Sequence, residues 1–316
     1  MHKPRLVLFL LAAAVLFIAP VRPVLAAPGE PPGEDIATGA SRFEAALPHG
    51  RTIEVFTYRA AEHGPDDPIV VVLAGGGRNG DDYRDSWIAA AERYDLLVLA
   101  PAFDEGRFPG PINYNLAGMI RDGADLATLS KVELTPPEAW LYGSIEAVFD
   151  EAVARTRSRQ SRYDLFGHSA GGQVVHRMMM FAPQARVRTA LAANSGWYTT
   201  LEPDAPFPYG LGGLSLPPGQ LEVALGRDLV VFLGELDDEN ETRGHLRETA
   251  ETNAQGAHRL ARGRHFHAVA EAESARLGLP LRWRLQVVPG VGHDYRKMSA
   301  AAADHLYGEA EVGPSD

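Results

Sequence analysis

The chain has 316 residues, no cysteine, 30 Lys+Arg against 41 Asp+Glu and a formal net charge of −11. With 45 % hydrophobic and 22 % charged residues it reads as a folded globular protein rather than a disordered or fibrous one. The acidic balance argues against a nucleic-acid partner, and the missing cysteines exclude disulfides, thiolate metal sites and a cysteine nucleophile.

Lys3 and Arg5 precede an uninterrupted apolar run from Leu6 to Ala19, and Val24-Leu25-Ala26 offers small residues at a cleavage site. This is the pattern of a secretory signal peptide over residues 1–26. Pro20, Arg22 and Pro23 end the run too early for a spanning helix, which needs about 20 apolar residues. The expectation is a secreted or periplasmic protein with no stable membrane anchor after cleavage. Residues 27–40, rich in Pro, Gly and acid, read as a flexible leader, leaving 41–316 as one catalytic domain.

Short apolar runs then alternate with helical patterns. Strands are predicted at Ile53–Tyr58, Ile69–Leu73, Leu96–Ala100, Tyr163–Phe166, Thr189–Ala193, Leu229–Leu233 and Leu285–Val288. Runs such as IVVVL and LVVFL lack polar alternation, as expected of parallel strands covered on both faces. Leu141, Ile145, Val148, Phe149 and Ala152 share one helical face, after Pro136 and Pro137. Further helices are predicted over Ser86–Arg93, Gln173–Phe181, Gly256–Arg276 and Lys297–Tyr307. The alternation specifies an α/β fold with a mostly parallel central sheet flanked by helices.

Two stretches break the pattern, 104–137 and 195–219. The second holds five Gly, five Pro and four aromatics, and loops of this length are commonly functional. Trp197 and Tyr198, just past a strand, are expected to line a substrate pocket.

Gly167-His168-Ser169-Ala170-Gly171-Gly172 stands between the strand YDLF and the helical pattern QVVHRMMM. A serine in so tight a strand-to-helix turn presents its Oγ outward, and the flanking glycines let strand and helix approach. The Ala170 N–H, at the helix N-terminus, would face a developing oxyanion. Such a serine needs a base, and the base an orienting acid, in the chain order Ser, acid, His.

Of the histidines only His293, in Gly290-Val291-Gly292-His293-Asp294 after the strand LQVV, combines that order with a preceding strand and a glycine turn. His245, His258, His265 and His267 read as solvated surface. His305 falls in the terminal helix, and His168 and His176 lie too near the serine. The acid comes from Gly234-Glu235-Leu236-Asp237-Asp238-Glu239, with Asp237 favoured and Asp238 the alternative. The second oxyanion donor comes from Ala74-Gly75-Gly76-Gly77: Gly76, or else Gly77, which also lines the substrate site.

With these residues in place the chain resembles the α/β-hydrolase superfamily over nearly all of 41–316. It is most similar to secreted polyhydroxybutyrate-depolymerase-like and feruloyl-esterase-like esterases. VVVLAGGGRNGDDY, LFGHSAGG, FLGELDD and VVPGVGHDY match that family's oxyanion, nucleophile, acid and histidine segments. The resemblance implies an α/β-hydrolase fold, a triad of Ser169, Asp237 and His293, an oxyanion hole from Gly76 and Ala170, and no metal or organic cofactor. The partner expected is an ester, small or polymeric. Ala74 stands where many members carry His, and the disulfides and extra substrate-binding domain of polymer-degrading relatives are absent. Two rival readings are a serine peptidase or amidase on the same triad, and a binding protein that retains the fold without catalysis.

Overall fold

The structure, a computed structural model, describes residues 34–121, 123, 124 and 133–308. The segment expected to be a signal peptide, residues 1–26, and residues 27–33 of the expected leader lie outside the described residues. Eight strands form one sheet: β1 (Gly39–Ala46), β2 (Thr52–Arg59), β3 (Ile69–Leu73), β4 (Leu97–Pro101), β5 (Tyr163–His168), β6 (Val187–Ala193), β7 (Leu229–Gly234) and β8 (Arg284–Val288). Their spatial order is β1-β2-β4-β3-β5-β6-β7-β8. The β1–β2 and β2–β4 pairs are antiparallel, and every pair from β4 to β8 is parallel.

All seven predicted strands are present, and the sequence reading missed one. Gly39 and Ala40 pair with Arg59 and Tyr58 in β1, and Ile36 is buried, so the leader ends earlier than residue 40. The β1 pattern alternates Phe43 and Ala45 inward with Arg42 and Glu44 outward. Half of that signal is alanine, which carries little hydrophobic contrast, so only pairing with β2 makes the strand evident.

The helices are α1 (Gly80–Asp85), α2 (Ile88–Tyr94), α3 (Gly110–Asn113), α4 (Tyr142–Thr156), α5 (Ala170–Phe181), α6 (Gln220–Leu225), α7 (Ala250–Gln255), α8 (Arg259–Leu277) and α9 (Tyr295–Tyr307). The helix predicted over 86–93 is α2, and the short helices α1, α3, α6 and α7 are not among those predicted. The one predicted from Gly256 begins at Arg259, because Gly256 takes φ 146° and ends α7. Among the described residues no helix is long and apolar enough to cross a membrane.

The sheet separates two cores. Ile69, Val71 and Leu73 of β3 join α4, α5 and α8 residues such as Ile145, Val175 and Phe266 on one face. Val70 and Val72 join Trp87, Ala91, Met298 and Ala302 on the other. A strand with partners on both faces must be apolar at every position, which explains IVVVL. The chain leaves β3 for β4 on one side and later returns to place β5 on the other. That reversal opens a crevice beyond the C-terminal ends of β3 and β5, where sheets of this kind bind ligands.

Candidate active site

Ser169 is the single residue between β5 and α5, and it adopts φ 57°, ψ −115°. Its N–H donates to the Ala193 carbonyl at 2.8 Å, tying the turn to β6. A Cβ on Gly167 would overlap the Gly171 carbonyl, and one on Gly171 would overlap the Leu73 carbonyl. Both glycines are therefore demanded by backbone contact.

Ser169, His293 and Asp237 come together from three loops at the same end of the sheet. His293 Nε2 lies 3.1 Å from Ser169 Oγ, and His293 Nδ1 lies 2.7 Å from Asp237 Oδ2. An Nδ1–H donating to the carboxylate leaves Nε2 to accept from the serine hydroxyl. Asp237, in the first turn past β7, is 1 % exposed. Its rival Asp238 instead accepts the Asn240 N–H at 2.9 Å, and Glu239 faces His258 at the surface.

The other histidines have separate duties. His176 is buried, donating from Nδ1 to the Gly172 carbonyl at 3.0 Å and accepting the Thr199 N–H at 3.1 Å. His258 caps α8 by accepting the Ala261 N–H. The His168 ring lies 4.5 Å from that of His293. Burial, reinforced by His293, drives its pKa well below the ordinary value, so it stays neutral.

The turn after β3 carries Gly75 buried and Gly76 and Gly77 open to the crevice. Among the described residues, neither the Gly76 nor the Ala170 N–H is taken by a backbone carbonyl. The turn is held from behind. Arg78, at φ 54°, donates to the Phe103, Phe108 and Gly110 carbonyls and lies 3.8 Å above the Tyr114 ring. Tyr114 donates to the Ala74 carbonyl at 2.6 Å.

The crevice encloses about 660 Å³, lined in part by Gly76, Gly77, Ser169, Ala170, Trp197 and His293, a volume typical of small-molecule sites. Trp197 stands in this wall with Arg177 packed 4.2 Å from its ring. Tyr198 does not. It is fully buried and stacks on Phe266 at 4.6 Å. Phe207 and Tyr209 of the 195–219 loop are likewise buried; they anchor the loop rather than form a rim.

Three residues around Ser169, His293 and Asp237 carry no signal in the sequence. Glu241 accepts the His293 N–H at 2.6 Å, and Arg243 beside it holds the Glu241 carboxyl down at about 2. Asn194, fully buried, accepts the Gly234 N–H at 2.7 Å and donates to the Gly292 carbonyl at 3.1 Å. It thus clamps the turns that carry Asp237 and His293. Arg259 places a guanidinium nitrogen 3.2 Å from Asp237 Oδ1. Among the described residues no group of three His, Asp or Glu side chains is gathered as a metal site.

Among solved structures the chain is similar to poly(aspartic acid) hydrolase-1 from Sphingomonas sp. KT-1. Identity is 34 % over 85 % of this chain and 98 % of that one, with a TM-score of 0.78. It is also similar to LpqC, a poly(3-hydroxybutyrate) depolymerase from Bordetella parapertussis, at 35 % identity over 86 % and 91 % of the two chains and a TM-score of 0.77. The siderophore hydrolase EstA from Aspergillus nidulans shares the fold at 15 % identity over 86 % and 95 %, with a TM-score of 0.54. No protein-family model and no curated protein matches the chain.

Proposed function

The chain belongs to the α/β-hydrolase superfamily, and from that premise we propose that it is an exported serine hydrolase cleaving carboxylic esters through Ser169, His293 and Asp237. The observation that carries this reading is the unbroken hydrogen-bonded line from Ser169 Oγ through His293 to Asp237. The signal-peptide pattern at residues 1–26 supports export, to the periplasm or the medium.

In this mechanism Ser169 Oγ attacks the ester carbonyl carbon as its proton passes to His293 Nε2. Asp237 fixes the tautomer that makes Nε2 the acceptor and stabilises the imidazolium that forms. The carbonyl oxygen becomes an oxyanion facing the Gly76 and Ala170 N–H groups. Collapse breaks the ester C–O bond, and the proton on His293 goes to the departing alkoxide. Water then attacks the acyl-enzyme, giving its proton to His293, which returns it to Ser169 as the acid leaves. His168 stays neutral beside the reacting imidazole and adds no competing charge.

The test is hydrolysis of p-nitrophenyl esters from acetate to palmitate by wild type and Ser169→Ala. Wild-type turnover that falls roughly 10⁴- to 10⁶-fold in the variant is the expected result, and the chain-length optimum then sizes the acyl site. A folded wild type that neither hydrolyses these esters nor reacts with a fluorophosphonate at Ser169 would leave the non-catalytic reading. The likeness to a poly(aspartic acid) hydrolase supports a second reading, amide hydrolysis on the same triad. Matched amide and ester substrates separate the two, and faster amide turnover would reverse their order.

A further inference from the structure

Arg259 is the first residue of α8, an unfavourable place for a cation because the N-terminal end of a helix is itself positive. The first turn of α8 holds no acid. The side chain is 3 % exposed, and its Nε has no hydrogen-bond partner among the described residues. Burying a guanidinium is costly unless an anion meets it. The anion that does is Asp237, 3.2 Å away and as inaccessible.

The two carboxylate oxygens of Asp237 are thereby divided. Oδ2 faces His293 and Oδ1 faces Arg259, so rotation of the carboxylate would break one contact or the other. The same guanidinium donates to the His245 carbonyl at 3.1 Å. That carbonyl belongs to the loop that covers the histidine, where a Cβ on Gly244 would lie 3.0 Å from His293 Cδ2. One cation therefore fixes both the acid of the triad and the loop against its base.

We infer that Arg259 is a positioning residue for the reaction. It orients the Asp237 carboxylate toward His293 and offsets part of the carboxylate's field at the imidazole. The inference rests on the triad reading given above. The charged and titratable groups facing His293 are Asp237, Glu241 and Arg243 from the chain after β7, Asp294 beside it, His168 from β5 and Arg259 from α8. Removing the Arg259 charge acts in one direction. The carboxylate then acts on the imidazole unopposed, and the repulsion between guanidinium and imidazolium disappears. Both changes favour the protonated ring, which cannot accept the serine proton.

The experiment compares pH profiles of kcat/KM on p-nitrophenyl butyrate for wild type, Arg259→Lys and Arg259→Met, with fluorophosphonate labelling of Ser169 alongside. Arg259→Met is expected to lower kcat roughly 10- to 100-fold with little change in KM, short of the loss seen on disabling a triad acid. Its acid limb should move to higher pH by about half a unit to one unit. Arg259→Lys keeps the charge without the fork, so its acid limb should stay near wild type while kcat recovers in part. If Arg259→Met does not fold, Arg259→Gln, neutral but still hydrogen-bonding, should show the same upward move. An acid limb that stays put or moves down in a folded neutral variant overturns the inference. A wild type that neither labels nor hydrolyses the ester sinks the underlying triad reading and this one with it. An active wild type with an unshifted neutral variant sinks this one alone.

Discussion

Glu241 holds the backbone of His293 rather than its ring, and the partners that hold Glu241 have a consequence for stability. Arg243 and the His293 N–H lower its carboxyl to about 2 in the folded chain, below the ordinary unfolded value of about 4.3. A depressed folded pKa contributes stability that is full above the unfolded value and is lost as pH falls through the folded one. Thermal melts should therefore show wild type losing stability between about pH 4.5 and pH 2 more steeply than Glu241→Gln; parallel curves would show that the contact carries no such linkage. Among individual residues, those whose chemistry demands a local backbone form were legible. Ser169 announced itself through Gly167 and Gly171, and His293 through its glycine turn. Asn194, Glu241 and Arg259 were not, because each acts on a partner far along the chain. Arg259 and Asp237 are 22 residues apart, a spacing that no local pattern encodes.

At the scale of elements, the strand–serine–helix unit shows how closely packing and chemistry are joined. Gly171 lies in the first turn of α5, and the space for its side chain is filled by the Leu73 and Ala74 carbonyls at the end of β3. Those atoms are backbone and cannot swing away. Gly171→Ala should push α5 from β3, destabilise the fold by about 3 kcal/mol or more and separate Ser169 from the Gly76 turn. A melting temperature within a degree or two of wild type would contradict this packing. Strands buried on both faces were the elements most readily read, because an unbroken apolar run has few other uses. Helix boundaries were read less well. The helical pattern runs through Gly256, whereas its φ of 146° makes it the break between α7 and α8. Tyr198, like Trp197, is expected at the pocket from its place just past a strand, yet it is buried against Phe266. Sequence gives the neighbourhood of a loop residue, but which way it points is set by Phe266, a residue of another element.

For the whole molecule, the sheet divides the apolar interior into two sets of contacts. Ile145 of α4 belongs to one and Met298 of α9 to the other. Ile145→Val should destabilise by about 1 kcal/mol and Met298→Ala by about 2–5 kcal/mol. The double variant should equal their sum to within about 0.5 kcal/mol, since the sites share no partner. A coupling of more than about 1 kcal/mol in chemical denaturation would show that strain crosses the sheet. The layered architecture is legible from the alternation of runs and periods, whereas the β1 edge and the short helices α1, α3, α6 and α7 are not. The sheet is thus a bulkhead: a void opened on one side leaves the other dry and tight. Ser169 is mounted at the end of that bulkhead, on β5, whose Leu165 and Phe166 face opposite compartments. The Ser169 hydroxyl is therefore mounted on a strand packed from two separate interiors, and losing packing in either one alone leaves it a second support.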